Sequence, residues 1–124
     1  MQKHPVLIVD DEPIVRESIR DWLREAGYPV ATAQDGEEAL KLARVNNPDI
    51  ILLDIQLPGL NGFEVCKSVK SDSTMSHTKV LMLSGMAQNS DWQKAQEAGA
   101  DGYIAKPFSS IELLEKVEGL LRSN

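Results

Sequence analysis

Ile50-Ile51-Leu52-Leu53-Asp54 is the strongest indication of the fold of this chain, and the turn sequence Ile55-Gln56-Leu57-Pro58-Gly59 follows it. Four consecutive aliphatic residues without polar alternation are typical of a strand that is buried on both faces of a parallel sheet. An acid at the carboxyl end of such a strand lies at the ligand crevice of an open α/β sheet. The structural alternative is that Asp54 only caps the next turn, because Asp is common at strand ends.

Length, charge and composition limit the classes of protein to consider. The 124 residues, 42% of them hydrophobic, suffice for one domain with its own core. The net charge of -6 argues against direct nucleic-acid binding, since an acidic surface repels phosphate backbones. Cys66 is the single cysteine, which excludes an internal disulfide. The sequence has neither a signal-peptide core nor a membrane-length apolar run, so we expect a soluble, cytoplasmic domain without membrane contact.

The chain alternates strand and helix patterns along its length. Short apolar runs predict five strands, at Val6–Val9, Pro29–Ala33, Ile50–Asp54, Val80–Leu83 and Tyr103–Ala105. Each run is followed by apolar residues spaced three or four positions apart, the pattern of amphipathic helices. These βα units predict one α/β domain over residues 1–124, with a doubly wound, five-stranded parallel sheet and helices on both faces. By analogy with flavodoxin-like (βα)5 folds, we expect the strand order 2-1-3-4-5.

Polar side chains stand at the carboxyl ends of four predicted strands: Asp10 and Asp11, Asp54, Ser84, and Lys106. These ends share one edge of a parallel sheet, so the side chains are expected to converge. Separate explanations exist, with Asp11 as a helix N-cap, Ser84 as a turn residue and Lys106 as a solvated base. One shared site explains all of them together, and we prefer it.

Three carboxylates, a hydroxyl and an ammonium favour phosphoryl chemistry. Clustered acids repel unless a cation lies among them, and oxygen ligands in an incomplete cage suit Mg²⁺, with Mn²⁺ as an alternative. Such a cation and an ammonium around a further carboxylate form a clamp for a phosphoryl group. Asp54, ionised at neutral pH, needs no general base to attack phosphorus and form an aspartyl phosphate. Ser84 would bond a phosphoryl oxygen only after the reaction, which can shift a conformational equilibrium.

In its motifs the chain resembles the receiver domains of two-component response regulators, from about Pro5 to Leu121. The motifs are Val9-Asp10-Asp11-Glu12-Pro13, Asp49-Ile50-Ile51-Leu52-Leu53-Asp54, Leu57-Pro58-Gly59-Leu60-Asn61-Gly62, Leu83-Ser84-Gly85, and Gly99-Ala100-Asp101-Gly102-Tyr103 with Lys106-Pro107-Phe108. No single motif is decisive. Their combination in this order and at this spacing is very specific.

The resemblance implies a phosphorylation-dependent signalling switch that is not a turnover enzyme. Asp54 would accept a phosphoryl group from a phosphohistidine of a sensor histidine kinase or a histidine phosphotransfer protein, and would lose it by autodephosphorylation. Asp11, Asp54 and the backbone carbonyl of Gln56 would ligate Mg²⁺ directly, and Asp10 would act through water. Lys106 would pair with the phosphoryl oxygens.

The same resemblance implies how the signal leaves the site. Ser84 would move to bond a phosphoryl oxygen, and Tyr103 would swing inward behind it. This would alter the face formed by the fourth helix, the fifth strand and the fifth helix, which would control a partner or output domain or form a phosphorylation-linked homodimer. The Lys106-Pro107 bond would be cis, an isomer that only X-Pro bonds adopt at low cost.

Gln56 and Met86 resemble the positions that flank the path of hydrolytic water in the family. Met86 has no polar group with which to orient that water, so we predict a comparatively long-lived phosphoryl mark. Trp92 is interpreted first as a packing residue, with an exposed partner or dimer contact as the alternative. A metal role for His77 is disfavoured, because no further ligand lies near it in sequence at a suitable spacing.

Three other functions remain open from the sequence. A metal-dependent phosphohydrolase with an aspartyl nucleophile would carry an acid two residues later, where this chain has Gln56. A flavin- or nucleotide-binding domain would cradle phosphate with a Gly- or Ser/Thr-rich turn, where this chain has Asp10-Asp11-Glu12-Pro13. A docking module that acts without phosphorylation would keep the fold alone, although this chain retains every chemical group.

Overall fold

A computed structural model describes residues 4–85 and 89–122, and within them five parallel strands form one sheet in the order β2-β1-β3-β4-β5. The strands are β1 (Val6–Val9), β2 (Val30–Ala33), β3 (Ile50–Asp54), β4 (Lys79–Ser84) and β5 (Gly102–Ala105). The helices are α1 (Pro13–Glu25), α2 (Gly36–Asn46), α3 (Gly62–Ser71), α4 (Asn89–Glu97) and α5 (Ser110–Arg122). The predicted fold class and strand order are confirmed.

Two apolar layers cover the sheet because successive strand residues point to opposite faces. Ile51 and Leu53 belong to the core cluster that includes residues of α2, α3 and α4. Ile50 and Leu52 belong to the cluster that includes residues of α1 and α5. The central strand is therefore buried on both faces, as its unbroken aliphatic run predicts.

Local capping fixes where several helices begin. Asn61 accepts a hydrogen bond from the backbone of Glu64 (3.0 Å), and the Glu64 carboxylate accepts one from the Asn61 backbone (3.2 Å), which completes a capping box. Ser109 and Glu112 form the same reciprocal pair at the start of α5. α1 begins differently, because its N-cap is Glu12 and no side chain caps it. Asp11 is thus not an N-cap.

The connection from α3 to β4 contains a short helical turn and two buried side chains. A 3-10 turn spans Ser73–Met75, and the side chain of Met75 is buried in the core. Thr78 is also buried, with its hydroxyl donating to the Pro48 carbonyl (2.8 Å). Single buried residues in a short irregular segment leave no periodic pattern, so the sequence does not reveal them.

In the parts of the chain that the structure describes, no helix is both long enough and apolar enough to cross a lipid bilayer.

Candidate functional site

The carboxyl edge of the sheet gathers the polar residues that the sequence analysis singled out. Asp10 directly follows β1, and Asp54 and Ser84 end β3 and β4. The backbone N–H of Lys106, directly after β5, donates to the Ser84 carbonyl (2.6 Å), which keeps the ends of β4 and β5 adjacent. β1 pairs with both β2 and β3, so the strand order reverses beside Asp10 and Asp54. Ligands of open α/β sheets bind at such a reversal.

The ammonium of Lys106 lies at the centre of these groups. Its Nζ is 2.9 Å from Oδ2 of Asp10, 3.2 Å from Oε1 of Glu12 and 3.3 Å from Oδ2 of Asp54. Only 14% of the Lys106 side chain is exposed. One cation is therefore shared by three carboxylates, and the site keeps an excess of negative charge.

Backbone contacts hold Asp10 in place. Its Oδ1 accepts a hydrogen bond from the Glu12 N–H (2.9 Å), and its carbonyl accepts one from Nη1 of Arg16 (2.8 Å). The Asp10 side chain is fully buried. A buried carboxylate with two partners, the Glu12 backbone and Lys106, is oriented without freedom to turn toward solvent.

Asp54 is 4% exposed, and its two oxygens have different partners. Oδ1 accepts a hydrogen bond from the Gln56 N–H (3.2 Å), and Oδ2 accepts one from Lys106 (3.3 Å). Burial, and after it the charge of Asp10, raise the pKa of Asp54 to about 6, while Lys106 and the Gln56 N–H act in the opposite direction. Most Asp54 side chains remain ionised at neutral pH, but the carboxylate is less stable than in water.

Lys106 keeps its charge despite burial. Desolvation lowers the pKa of its ammonium, but the hydrogen bond to Asp10 and the charges of Asp54 and Asp10 outweigh that effect and raise it. The residue is thus a permanent cation beside Asp54.

The carboxylates fit a hard divalent cation. Asp10, Asp11, Glu12 and Asp54 each offer an oxygen, and these oxygens lie within 4.8 Å of one another. Asp11 and Glu12 are exposed while Asp10 and Asp54 are buried, so the cluster opens to solvent on one side. A donor set of carboxylate oxygens with an open side suits Mg²⁺ or Mn²⁺, which keep water ligands. Burial, and after it the charge of Asp10, raise the pKa of Asp54, and a bound cation would favour its ionised form, so the residues present fit such an ion.

Tyr103 points inward in the structure and is buried on the α2–α4 side of the sheet. Its ring stacks on Trp92 of α4, with centroids 3.5 Å apart and planes inclined by 31°. In the described part of the chain, the buried Tyr103 hydroxyl has no hydrogen-bond partner. Trp92 is 42% exposed, so it is at once a packing partner of Tyr103 and a surface residue.

The remaining predicted positions are placed as follows. The Lys106-Pro107 bond is cis. Gln56 is exposed and lines a surface hollow together with Asp11. Met86 lies outside the described residues. The Cys66 thiol is buried, its pKa is raised to about 11 by desolvation, and it donates to the Ala98 carbonyl (3.4 Å) in the core.

Two contributors to the site were not assigned a role from the sequence. Glu12 binds Lys106, and Arg16 holds the carbonyl of Asp10. Glu12 could have been found as the third acid after β1, adjacent to a residue already assigned to the site. Arg16 left no comparable signal, because its position on α1 reads as a solvated helix face.

His77 lies at the opposite edge of the sheet. Its Nε2 is 3.5 Å from Oδ1 of Asp49, and Nδ1 of His4 is 2.5 Å from Oδ2 of the same carboxylate. The two imidazoles thus face different oxygens of Asp49. Within residues 4–85 and 89–122, only the acidic group at the carboxyl edge brings three or more such ligand atoms together.

The family model of the response regulator receiver domain matches residues 6–118. The alkaline phosphatase synthesis transcriptional regulatory protein PhoP of Bacillus subtilis is 43% identical over 117 residues, which are 94% of this chain and 48% of that protein. The response regulator MprA of Mycobacterium sp. (strain KMS) is 44% identical over 94% of this chain and 50% of that protein. The chain spans about half the length of the curated relatives it matches.

Solved structures of response regulators are also similar to this chain. The chemotaxis response regulator CheY4 of Vibrio cholerae superposes with a TM-score of 0.91 at 35% identity, over 96% of this chain and 99% of that one. A protein of Chloroflexus aurantiacus described as a response regulator superposes with a TM-score of 0.93 at 40% identity, over 98% of this chain and 99% of that one. Both similarities extend over nearly the whole of this chain.

Proposed function

The chain belongs to the response regulator receiver domain family of two-component signalling, and from this premise we propose that Asp54 is its phosphoacceptor. The donor would be a phosphohistidine on a sensor histidine kinase or a histidine phosphotransfer protein. The observation that carries the proposal is the contact of Lys106 with Asp54 at 3.3 Å beside three further carboxylates. Family membership argues against a phosphohydrolase and a nucleotide-binding domain, and the retained chemical groups argue against a docking module that needs no phosphorylation.

In the proposed transfer, an ionised oxygen of Asp54 attacks the phosphorus of the phosphohistidine. An O–P bond forms while the P–N bond breaks, and the electron pair of that bond returns to the imidazole nitrogen. The product is an acyl phosphate, which water later hydrolyses. A raised pKa of about 6 leaves Asp54 mainly ionised near pH 7, so the attack needs no general base.

Lys106 supplies the positive charge for this step. Its ammonium already donates to Oδ2 of Asp54, so it is within reach of a phosphoryl group attached there. A fixed donor in a partly buried site stabilises developing negative charge more than a solvated lysine would. Asp10 and Glu12 hold Lys106 in that place before the donor arrives.

Asp11, Asp54 and the backbone carbonyl of Gln56, with Asp10 through water, would hold Mg²⁺ or Mn²⁺. When bound, such a cation neutralises the clustered carboxylates and the charge on the phosphoryl oxygens. Asp10 and Asp54 are already oriented by backbone hydrogen bonds, so little rearrangement of these residues is required.

Ser84 and Tyr103 would transmit the signal. Ser84 is buried at the end of β4 beside Lys106, where its hydroxyl would bond a new phosphoryl oxygen. Tyr103 already points inward against Trp92, so a shift of Ser84 and of the start of α4 would change the packing of this pair. The face built from α4, β5 and α5 would then bind an output domain, another protein or a second copy of the chain.

The biological setting is proposed from the relatives. Several are named transcriptional regulators, and this domain would serve such a regulator by signal reception in the cytoplasm, leaving DNA contact to other parts of the protein.

Gln56 and Met86 would tune hydrolysis, and the apolar Met86 would prolong the phosphoryl mark. Met86→Glu or Met86→Lys should change the decay rate in a phosphate-release assay, and an unchanged rate would count against this role.

The direct test is intact mass after incubation with acetyl phosphate and Mg²⁺. We expect the parent protein and Asp49→Asn, at the opposite edge, to gain one phosphoryl group. Asp54→Asn should gain none, because an amide cannot form the acyl phosphate. Equal labelling of Asp54→Asn and the parent would refute the assignment.

A further inference from the structure

A second lysine borders the acidic site. Lys94 of α4 lines a surface hollow of about 570 Å³ together with Asp11 and Gln56. Asp11 is also one of the clustered carboxylates, so the hollow leads directly to the site. Lys106 lines a different hollow, next to Glu12 and Gly85. The two lysines therefore line separate hollows, and each hollow includes one carboxylate of the acidic cluster.

Among the described residues, the ammonium of Lys94 borders the hollow without forming an ion pair. It lies 5.9 Å from the ring centroid of Phe63 on α3, within the range of a weak cation–π contact. In the described part of the chain, no carboxylate forms an ion pair with it. Lys106, by contrast, is shared among Asp10, Glu12 and Asp54.

The negative charge of the site suggests a role for the Lys94 ammonium in the approach of an anionic donor. Four carboxylates face one committed ammonium, and even a divalent cation leaves the group negative overall. A phosphodonor is itself an anion, so it meets repulsion as it approaches. A cation at the mouth of the approach raises the local donor concentration and the rate of productive encounter.

We propose that Lys94 recruits small anionic phosphodonors, the class of acyl phosphates, into the hollow beside Asp11 and Gln56. Lys94 is a positioning residue: it attracts and orients the donor, and Asp54 and Lys106 carry out the transfer. The inference rests on the proposed function of Asp54. It goes further because it assigns a route of entry and a preference for donors of higher negative charge.

The test compares four variants with the full parent chain. Lys94→Glu reverses the charge, Lys94→Gln removes it and Lys94→Arg retains it. Lys41→Glu is the matched control, because it makes the same change on an exposed lysine of α2 that lines neither hollow. Thermal melting of each variant checks that folding is preserved.

The measured quantity is the initial rate of phosphorylation at low donor concentration with Mg²⁺, using acetyl phosphate as a dianion and phosphoramidate as a less charged donor. Lys94→Glu should slow the acetyl phosphate reaction about tenfold at low ionic strength, and the phosphoramidate reaction less. At about 0.5 M salt the difference should largely vanish through screening. Lys94→Arg should match the parent, Lys94→Gln should lie between, and Lys41→Glu should change the rate less than about twofold.

Two outcomes would overturn the role of Lys94 alone: Lys94→Glu behaving as Lys41→Glu does, or a slower rate that persists at high salt, which would indicate a structural effect. A parent chain that incorporates no phosphoryl group from either donor would overturn the proposed function and this inference with it. The first pair of results leaves Asp54 as the acceptor, so the two failures are distinguishable.

Discussion

The two edges of the sheet both gather titratable side chains, with carboxylates in excess at the carboxyl edge and imidazoles in excess at the amino edge. At the carboxyl edge, the single ammonium of Lys106 is shared by three carboxylates, and two of these are buried. At the amino edge, the single carboxylate of Asp49 faces the imidazoles of His4 and His77, whose side chains are 55% and 45% exposed. The residues at the amino edge are partly exposed, so solvent can stabilise the Asp49 carboxylate. The buried acidic group carries more negative than positive charge, which fits a divalent cation and is the basis of the proposed phosphoryl transfer.

Among the changes considered, the removal of the Lys106 ammonium should have the largest effect on the rate of phosphorylation. Lys106→Gln takes away the only ammonium that contacts Asp54 in the described residues, and loss of such a donor typically costs about 100-fold in rate or more. The rate of phosphorylation by acetyl phosphate measures it. Lys70→Gln, which breaks the ion pair with Asp101 (2.9 Å) away from the site, is the control and should leave the rate unchanged. Equal rates in the two variants would deny Lys106 its role.

The raised pKa of Asp54 should make the free energy of unfolding of the metal-free protein depend on pH. Its folded-state pKa is raised from 3.8 to about 6, so the folded protein binds more protons than the unfolded chain between these values. The contribution of Asp54 is therefore fully present below about pH 4 and is lost as the pH rises through about 6, by at most about 3 kcal/mol. Denaturant unfolding of the parent and Asp54→Asn across this range isolates the effect.

As the pH rises, the free energy of unfolding of the parent should therefore decrease relative to that of Asp54→Asn. Mg²⁺ should reduce this decrease, because a cation favours the ionised acid. A difference that is constant with pH would contradict the raised pKa.

Much of this site could be predicted because parallel strands impose it. The aliphatic run before Asp54 predicts a buried strand, and strand ends that share one edge bring Ser84 and Lys106 to the same place as the acids. The contact of Glu12 with Lys106 joins residues 94 positions apart and depends on side-chain conformation, so no pattern in the sequence reveals it. The contacts of His4 and His77 with Asp49 also depend on side-chain conformation, so the sequence does not reveal them either.

The backbone is closely packed beside Asp54, at Gly62. A Cβ on Gly62, at the start of α3, would lie 2.7 Å from Cα of Ile55, the residue after Asp54. Gly62→Ala should therefore destabilise the protein by about 1–3 kcal/mol through overpacking and should also slow phosphorylation. The unfolding free energy and the phosphorylation rate check both expectations.

Gly119 provides the contrast for that variant. It lies on α5, and a Cβ there has no heavy atom within 4 Å. Gly119→Ala should stabilise the protein by about 0.5–1 kcal/mol, through the better helix propensity of Ala, and leave phosphorylation unchanged. If Gly62→Ala gave the same stabilisation, the close approach at Gly62 would be disproved.

The smallest effect is expected at the amino edge. Asp49→Asn removes the charge that His4 and His77 share, but both imidazoles are exposed, so the cost should remain below about 1 kcal/mol. Phosphorylation should proceed at the parent rate. A large decrease in the free energy of unfolding or in the phosphorylation rate would show that the contacts of Asp49 have more than a minor, solvent-exposed role.

The most direct test of the central claim is to locate the phosphoryl group. After phosphorylation with acetyl phosphate and Mg²⁺, borohydride reduces an aspartyl phosphate to homoserine, and peptide mass spectrometry identifies the modified position. We predict homoserine at position 54 and at no other acid. Modification of Asp10, Asp11 or Glu12 instead, or a stable phosphate on a serine or histidine, would contradict the assignment of Asp54 as the acceptor.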